Sequence, residues 1–446
     1  MFPDELYGAI ERGEIEAAEL LPAVTRLLEQ RVVLGLLDDW DASAGVPRPG
    51  IDVVDSDDHR ALAQRAARES VVLLSNDGGV LPLTADGRAL AVVGPMGNAS
   101  MNLLSGYHGQ APPDLLQSPV AALTARWPGA VTYAAGCNAS DAPDADPAVA
   151  NASLSAAVAV AAAADVVVLG LGLCGDNYDG GPPLEDATCF LIDEAETRDR
   201  TTVALPGRQM DLFRRIRALG KPTVVFLLHA GAVDVAEIRD AGVAIVDAGY
   251  GAEYGGEAIA DALLGVFNPG GALSATVYPT ASLPRYRDMS LRPSATSPGR
   301  TYRFLDESIV APVWRFGFGL SYTNFTAALA NASSQTVRPD EALPLTVTVA
   351  NVGDRSGDVV VCCYASAGDA LRSEYDAPLR ELFDFERVRD LAPGASTSLG
   401  VVLPPSARSL VAADGARILP ETGSYSVSCE AGGVATTATV EVAVGA

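Results

Sequence analysis

Residues 164–172 read ADVVVLGLG, a run of valine and leucine without polar alternation. Similar runs are ALAVVG at 89–94, PTVVFLLHAG at 222–231 and VAIVDAG at 243–249. Between them lie helical patterns: the alanine-rich 152–164, GRQMDLFRRIRALG at 207–220, VDVAEIRDAG at 233–242 and GGEAIADALLGVF at 255–267. Uninterrupted apolar strands separated by helices predict a mostly parallel sheet covered on both faces, an α/β sandwich. A helix, RALAQRAARES at 60–70, leads into VVLL, a SNDGG turn and VLPL, which together read as a hairpin.

Outside this block the pattern changes. Residues 14–37 place Ile15, Leu20, Leu21, Val24, Leu27, Leu28 and Val32 at helical spacing, which predicts one amphipathic helix. The Pro, Gly and Asp content of 38–58 marks a linker. After about 281 the helical signal ends. A Pro/Arg/Ser-rich stretch gives way to LPLTVTVANVGDRSGDVVVCCYAS at 343–366, TSLGVVLP at 397–404 and GSYSVSCEAGGVATTATVEVAV at 423–444, the short alternating strands of an all-β sandwich.

Composition narrows the function. The 446 residues carry 56 acidic against 31 basic side chains, a formal charge of −25, which repels phosphate backbones and argues against a nucleic-acid partner. No apolar run is long enough to cross a membrane, and the N-terminus lacks the positive start and apolar core of a signal peptide. Asn-x-Ser/Thr sequons at Asn98, Asn138, Asn151, Asn324 and Asn331 nevertheless tilt the reading toward a secreted glycoprotein. Cys137, Cys174, Cys189, Cys362, Cys363 and Cys429 form no zinc-type pair; they read either as one or two disulfides or as small buried hydrophobes. His59, His108 and His229 are scattered, and His229, closing an apolar run, reads as a strand-end residue. The glycines of GLGLCG at 170–175 do not open a helix, as a dinucleotide site requires. No metal and no cofactor is expected.

In an open parallel sheet, ligands gather at the carboxyl ends of the strands. The first quoted strand ends near Gly172 and the next clear helix begins near Gly207, a connection far longer than usual and so a functional candidate. It holds CGDNYDGG at 174–181 and EAETRDR at 194–200. Glu194 and Glu196 are the candidate general acids, since a carboxyl group in a sheltered loop can deliver a proton to a leaving oxygen. Arg198, Asp199 and Arg200 read as local ion pairs that stiffen the loop.

DRTTVALPGRQMDLFRRI (199–216), VDAGYGAEYGGEAIADALLGVFNPGGALSATVYP (246–279), MSLRPSATSPGRTYRF (289–304) and WRFGFGLSYTNF (314–325) resemble, in order, signatures of glycoside hydrolase family 3. SPGRTYRF and the EAE pair resemble its β-xylosidase/α-arabinofuranosidase branch. LPLTVTVANVGDRSGDVVV with LAPGASTSL (391–399) resembles the family's fibronectin type III-like domain, and RLLEQRVVLGLLDD (26–39) the last helix of its N-terminal (β/α)8 barrel.

The resemblance implies a barrel remnant and linker over 1–45, the α/β sandwich over 46–280, an irregular segment over 281–325 and the fibronectin-like domain over 326–446. It implies release of terminal β-linked sugars, xylose from xylo-oligosaccharides above all, at an extracellular or cell-wall location. The mechanism would retain configuration through a barrel aspartate as nucleophile and a sandwich glutamate as acid/base, with their carboxyl groups about 5 Å apart. Glu194 stands where the family's acid/base residue falls, and Glu196 is the runner-up. Only the barrel's final helix is expected here, so the chain would supply the acid/base half and the barrel would be an upstream partner. Asp38, Asp39 and Trp40 mimic the nucleophile motif but follow that helix, and read as linker. A non-catalytic carbohydrate-binding or scaffold protein, or a fragment lacking the nucleophile, is the alternative.

Overall fold

A computed structural model of the chain describes residues 3–37, 50–106, 108–109, 115–140, 146–175, 193–194, 200–283, 290–330, 335–412, 414–432 and 434–444. These fall into two compact units, 1–62 and 63–446.

The first unit holds helices α1 (Pro3–Glu11) and α2 (Leu21–Val33). The single helix expected over 14–37 is thus shorter. Pro22 cannot donate to a preceding turn and sits in the first turn of α2, after a 3-10 turn at Ala17–Leu20, while Gly35 closes the far end at φ 67°. The expected apolar stripe is present, with Leu21, Val24, Leu27, Leu28 and Val32 each 44–60% exposed. Asp38, Asp39 and Trp40 lie outside the described residues.

The second unit opens with α3 (Asp57–Ser70), which begins in the first unit, and a six-stranded sheet. Its strands are β1 (Val72–Ser75), β2 (Leu90–Val93), β3 (Val131–Ala134), β4 (Val166–Gly172), β5 (Thr223–Leu228) and β6 (Ala244–Asp247). The order is β1-β6-β5-β4-β2-β3, parallel except for β1. Every residue of β4 and β5 is buried, because both faces are covered. Val166 and Val168 of β4 join a core with α4 (Pro119–Arg126) and α8 (Gly255–Leu263). Val167, Leu169 and Leu171 join the opposite core with α5 (Pro147–Ala163), α6 (Gln209–Arg217) and α7 (Ala236–Asp240).

The expected hairpin does not form: β1 pairs with the distant β6 instead. Pro82 has no N–H to give a ladder, and the Asn76 side chain takes up the turn, accepting from Leu81 N and donating to Leu81 O. Strand β3 and helix α4 escaped the sequence reading, since β3 is a half-exposed edge strand without the apolar run of its neighbours.

The β-sandwich packs a five-stranded sheet, β11-β10-β15-β16-β8, against a three-stranded one, β12-β9-β7. These strands are β7 (Phe325–Leu329), β8 (Gln335–Val337), β9 (Leu343–Asn351), β10 (Gly357–Ala367), β11 (Glu381–Leu391), β12 (Ser396–Leu403), β15 (Gly423–Ala431) and β16 (Val434–Val444). A two-stranded ribbon, β13 (Leu410–Val411) and β14 (Arg417–Ile418), completes it. Cys363 and Cys429, directly opposed on β10 and β15, form a disulfide. Cys174 is also disulfide-bonded, whereas Cys362 is a buried thiol, so both sequence readings of the cysteines apply.

One buried side chain fixes the end of β4, where the candidate loop begins. Gln209, fully buried at the start of α6, accepts from Gly172 N at 2.9 Å and donates to Gly172 O and Ala139 O, each at 2.8 Å. Gly172 itself has φ 157°, and a Cβ there would come within 2.0 Å of Leu228 O. Gln209→Ala would strand three buried backbone groups and should lower unfolding stability in urea by about 3 kcal/mol. A loss below about 0.5 kcal/mol, the scale of a neutral surface change, would show that the clamp is dispensable.

Candidate active site

Three parallel strands end together around one carboxylate. After β4 the chain returns at Asp193 and Glu194, whose N–H groups both donate to Cys174 O, at 2.9 and 3.2 Å, and Glu194 makes an isolated bridge to Gly175. The Glu194 side chain points across the ends of the next two strands. Just beyond β5, Ala230 N donates to its Oε1 and Gly231 N to its Oε2, both at 2.7 Å. Just beyond β6, the Tyr250 hydroxyl lies 2.6 Å from Oε1 and 3.0 Å from Leu173 O. Its single proton goes best to the carboxylate, the shorter and charged acceptor. Burial, and then the Glu194 charge, push the Tyr250 pKa well above that of an ordinary tyrosine, so it remains a donor.

A second layer of charge surrounds this carboxylate. Asp193 Oδ2 accepts from Cys174 N at 2.9 Å, and Oδ1 accepts from the buried Ser140 hydroxyl. Burial raises the Asp193 pKa despite both hydrogen bonds. Arg200 donates to Ala232 O at 3.1 Å and to Ala204 O at 2.9 Å. Burial pulls its pKa down while the charges of Glu194 and Asp193 push back, and it remains a cation. His229, directly after β5, places Nε2 3.2 Å from Asp247 Oδ2 at the end of β6, an ion-pair contact. Burial opposes a charged ring there, but the Asp247 charge, with help from Glu194, outweighs it and raises the His229 pKa.

Of the residues expected from the sequence, Glu194 thus sits at the meeting point of the strand ends. Glu196, Arg198 and Asp199 lie outside the described residues. Arg200, expected to ion-pair locally, instead bonds to backbone carbonyls while facing two carboxylates. His229 is a strand-end residue, as expected, but one beside the site. Asp193, Asp247 and Tyr250 were missed. The signal for them was present: each lies at or just past the carboxyl end of a sheet strand or in the long connection, and the strand-end rule had been applied to β4 alone.

The His229–Asp247 pair gives a pH signature. Because the folded-state pKa of His229 is raised above its ordinary value of about 6.5, the protonated pair stabilises the fold fully below that pH, and its contribution fades as pH rises through the folded value. The melting temperature of the chain should exceed that of His229→Asn by most below about pH 6, and the gap should shrink toward alkaline pH. A gap that widens with pH would mean that the ring is buried neutral.

Residues 71–322 match the glycosyl hydrolase family 3 C-terminal domain, and residues 359–432 a fibronectin type III-like domain. Over 97% of its length the chain is 34% identical to a probable exo-1,4-beta-xylosidase of Neosartorya fischeri, and over 96% it is 31% identical to an exo-1,4-beta-xylosidase of Aspergillus oryzae. It covers 54% and 52% of those proteins, so it spans about half the length of the curated relatives it matches. Among solved structures it is similar to a family 3 exo-beta-xylosidase in complex with a xylobiose aziridine probe, with TM-score 0.78 and 29% identity over 99% of this chain and 55% of that one. A beta-glucosidase from Erythrobacter marinus follows the same fold, with TM-score 0.73 and 30% identity over 98% of this chain and 57% of that one. The family model alone spans more than half of the sequence, and its sheet is the one that gathers the Glu194 site; the chain belongs to glycoside hydrolase family 3.

Proposed function

We propose that this chain forms the acid/base half of a configuration-retaining exo-β-xylosidase, and that its EAE pair divides the work: Glu196 carries the proton and Glu194 anchors the loop that presents it. The observation that carries this reading is the occupancy of both Glu194 oxygens. Oε1 already accepts from Ala230 N and the Tyr250 hydroxyl, and Oε2 from Gly231 N. A proton on either oxygen would have to share it with a donor already aimed there, whereas a general acid must turn its proton toward the leaving group. Glu196, two residues on in the same connection, lies outside the described residues. The order suggested by the sequence, with Glu194 first and Glu196 second, is therefore reversed in this proposal. The xylose preference is supported by the names of the relatives at 31–34% identity.

In the first step the acid would protonate the departing glycosidic oxygen while an aspartate of the barrel half attacks the sugar carbon. In the second, the same residue, now a carboxylate, would take a proton from the water that releases the sugar. Arg200, the cation beside Glu194, would balance the negative charge of the pair in both steps. An extracellular setting is supported by the Cys363–Cys429 disulfide and by exposed sequons at Asn98, Asn151 and Asn324.

The test joins the chain to the N-terminal half of a matching family member and measures hydrolysis of xylosides. Glu196→Ala should lower kcat/KM on poor leaving groups by roughly 10²–10⁴-fold. It should spare aryl xylosides with acidic phenols, and azide, which needs no base, should rescue product formation. Glu194→Ala should slow all substrates to a similar degree without azide rescue. Exchange of the two behaviours would return the acid/base role to Glu194, and rescue in neither would leave the pair outside catalysis.

A further inference from the structure

The β-sandwich forms one wall of a cleft that begins at the Glu194 site. This cleft, of about 590 Å³, falls within the roughly 300–1,000 Å³ of small-ligand clefts. At one end His229, Ala230 and Tyr250 line it, the residues that flank Glu194; at the other stand Cys362 of β10 and Leu382, Phe385 and Arg387 of β11. The pairing of Cys362 with Phe385 and of Val360 with Arg387 puts these side chains on one sheet face, because directly opposed residues share a side. The other face, with Val359, Val361 and Cys363, is the sandwich core.

Phe385 is the anomaly on that wall. It is 65% exposed, an aromatic ring that nothing in the sandwich buries, although strand β11 could have carried a polar residue there at no cost to the core. Its wall is held firmly against the α/β sheet. Arg387 donates to Glu69 O at 3.0 Å, Arg389 lies 3.2 Å from the Glu69 carboxylate, and Leu320 bridges to Leu73. A second ring, Phe316, lines both this cleft and an adjoining one of about 930 Å³ that Arg200 also lines, and it stacks on Tyr302 with centroids 4.5 Å apart.

We propose that this cleft binds the part of a β-linked xylo-oligosaccharide that is not cleaved, with Phe385 of the fibronectin-like domain as a stacking platform for one of its sugar rings. The inference rests on the proposed function for the identity of the ligand. Pentose rings present apolar C–H faces that suit an exposed aromatic ring, and hydroxyl edges that suit Ser274 and Arg387 along the same cleft. A neutral oligosaccharide also meets no repulsion from a chain of charge −25, as an acidic ligand would. The sandwich then sets the length preference for substrate.

Titration of the full chain with xylohexaose, followed by NMR, tests this. Phe385→Ala should weaken xylohexaose binding about five-fold, the scale of one aromatic contact, while Phe385→Tyr should keep it. Both variants should melt with the parent chain, since the ring is exposed. An unchanged affinity in Phe385→Ala, or no binding of xylohexaose by the parent chain, overturns the proposal. Phe385-dependent binding together with an inactive hybrid enzyme would sustain the cleft and sink the proposed catalytic function. An active hybrid with Phe385-independent binding would do the reverse.

Discussion

The carboxylate of Glu194 is the knot of this site. Its two oxygens take N–H groups from the turn after β5 and a hydroxyl from the turn after β6, while its own backbone is held to the end of β4. Three neighbouring strand ends are thereby tied through one side chain. A carboxylate has about four lone-pair directions, and three donors at 2.6–2.7 Å use most of them. The clamp is therefore nearly saturated, and what it holds in place matters more than what it could exchange with solvent. The proposed division, with Glu194 as anchor and Glu196 as proton carrier, rests on this saturation.

Charge around the knot is arranged in opposition. Asp193, Glu194 and Asp247 face Arg200 and His229 within a few residues of the strand ends; burial prevails at Asp193 and Arg200, whereas at His229 the Asp247 charge prevails over it. Buried charges without such partners would cost several kcal/mol each. The arrangement keeps a fixed cation beside the Glu194 carboxylate. It also keeps the site intact only while the glycine-lined end of β4 and the Gln209 clamp beneath it stay in register.

Much of this was legible in the sequence because the physics was local. Continuous apolar strands announced the parallel sheet, and alternation along β9 and β15 announced the sandwich. Where long-range pairing decided the outcome, local pattern misled. VLPL looked like a strand, yet Pro82 and the Asn76 side chain turned it into a loop and left β1 to pair with β6 across the sheet. Glu194 was found because its loop is long. Tyr250 was not singled out and His229 was read only as a strand-end residue, since a lone tyrosine after VDAG and a lone histidine after FLL carry no motif until the strands are placed side by side. Phe385 is illegible for the same reason: its exposure depends on which face of β11 turns toward the α/β sheet.

The account divides two glutamates separated by a single residue, and the pH dependence of kcat/KM separates them most directly. The loss of rate toward alkaline pH reports ionisation of the general acid in the free enzyme. In the joined enzyme, Glu194→Gln should retain that alkaline limb at reduced overall rate, and Glu196→Gln should abolish it. Disappearance of the limb in Glu194→Gln, with its survival in Glu196→Gln, would contradict the division and make the clamped carboxylate the acid itself.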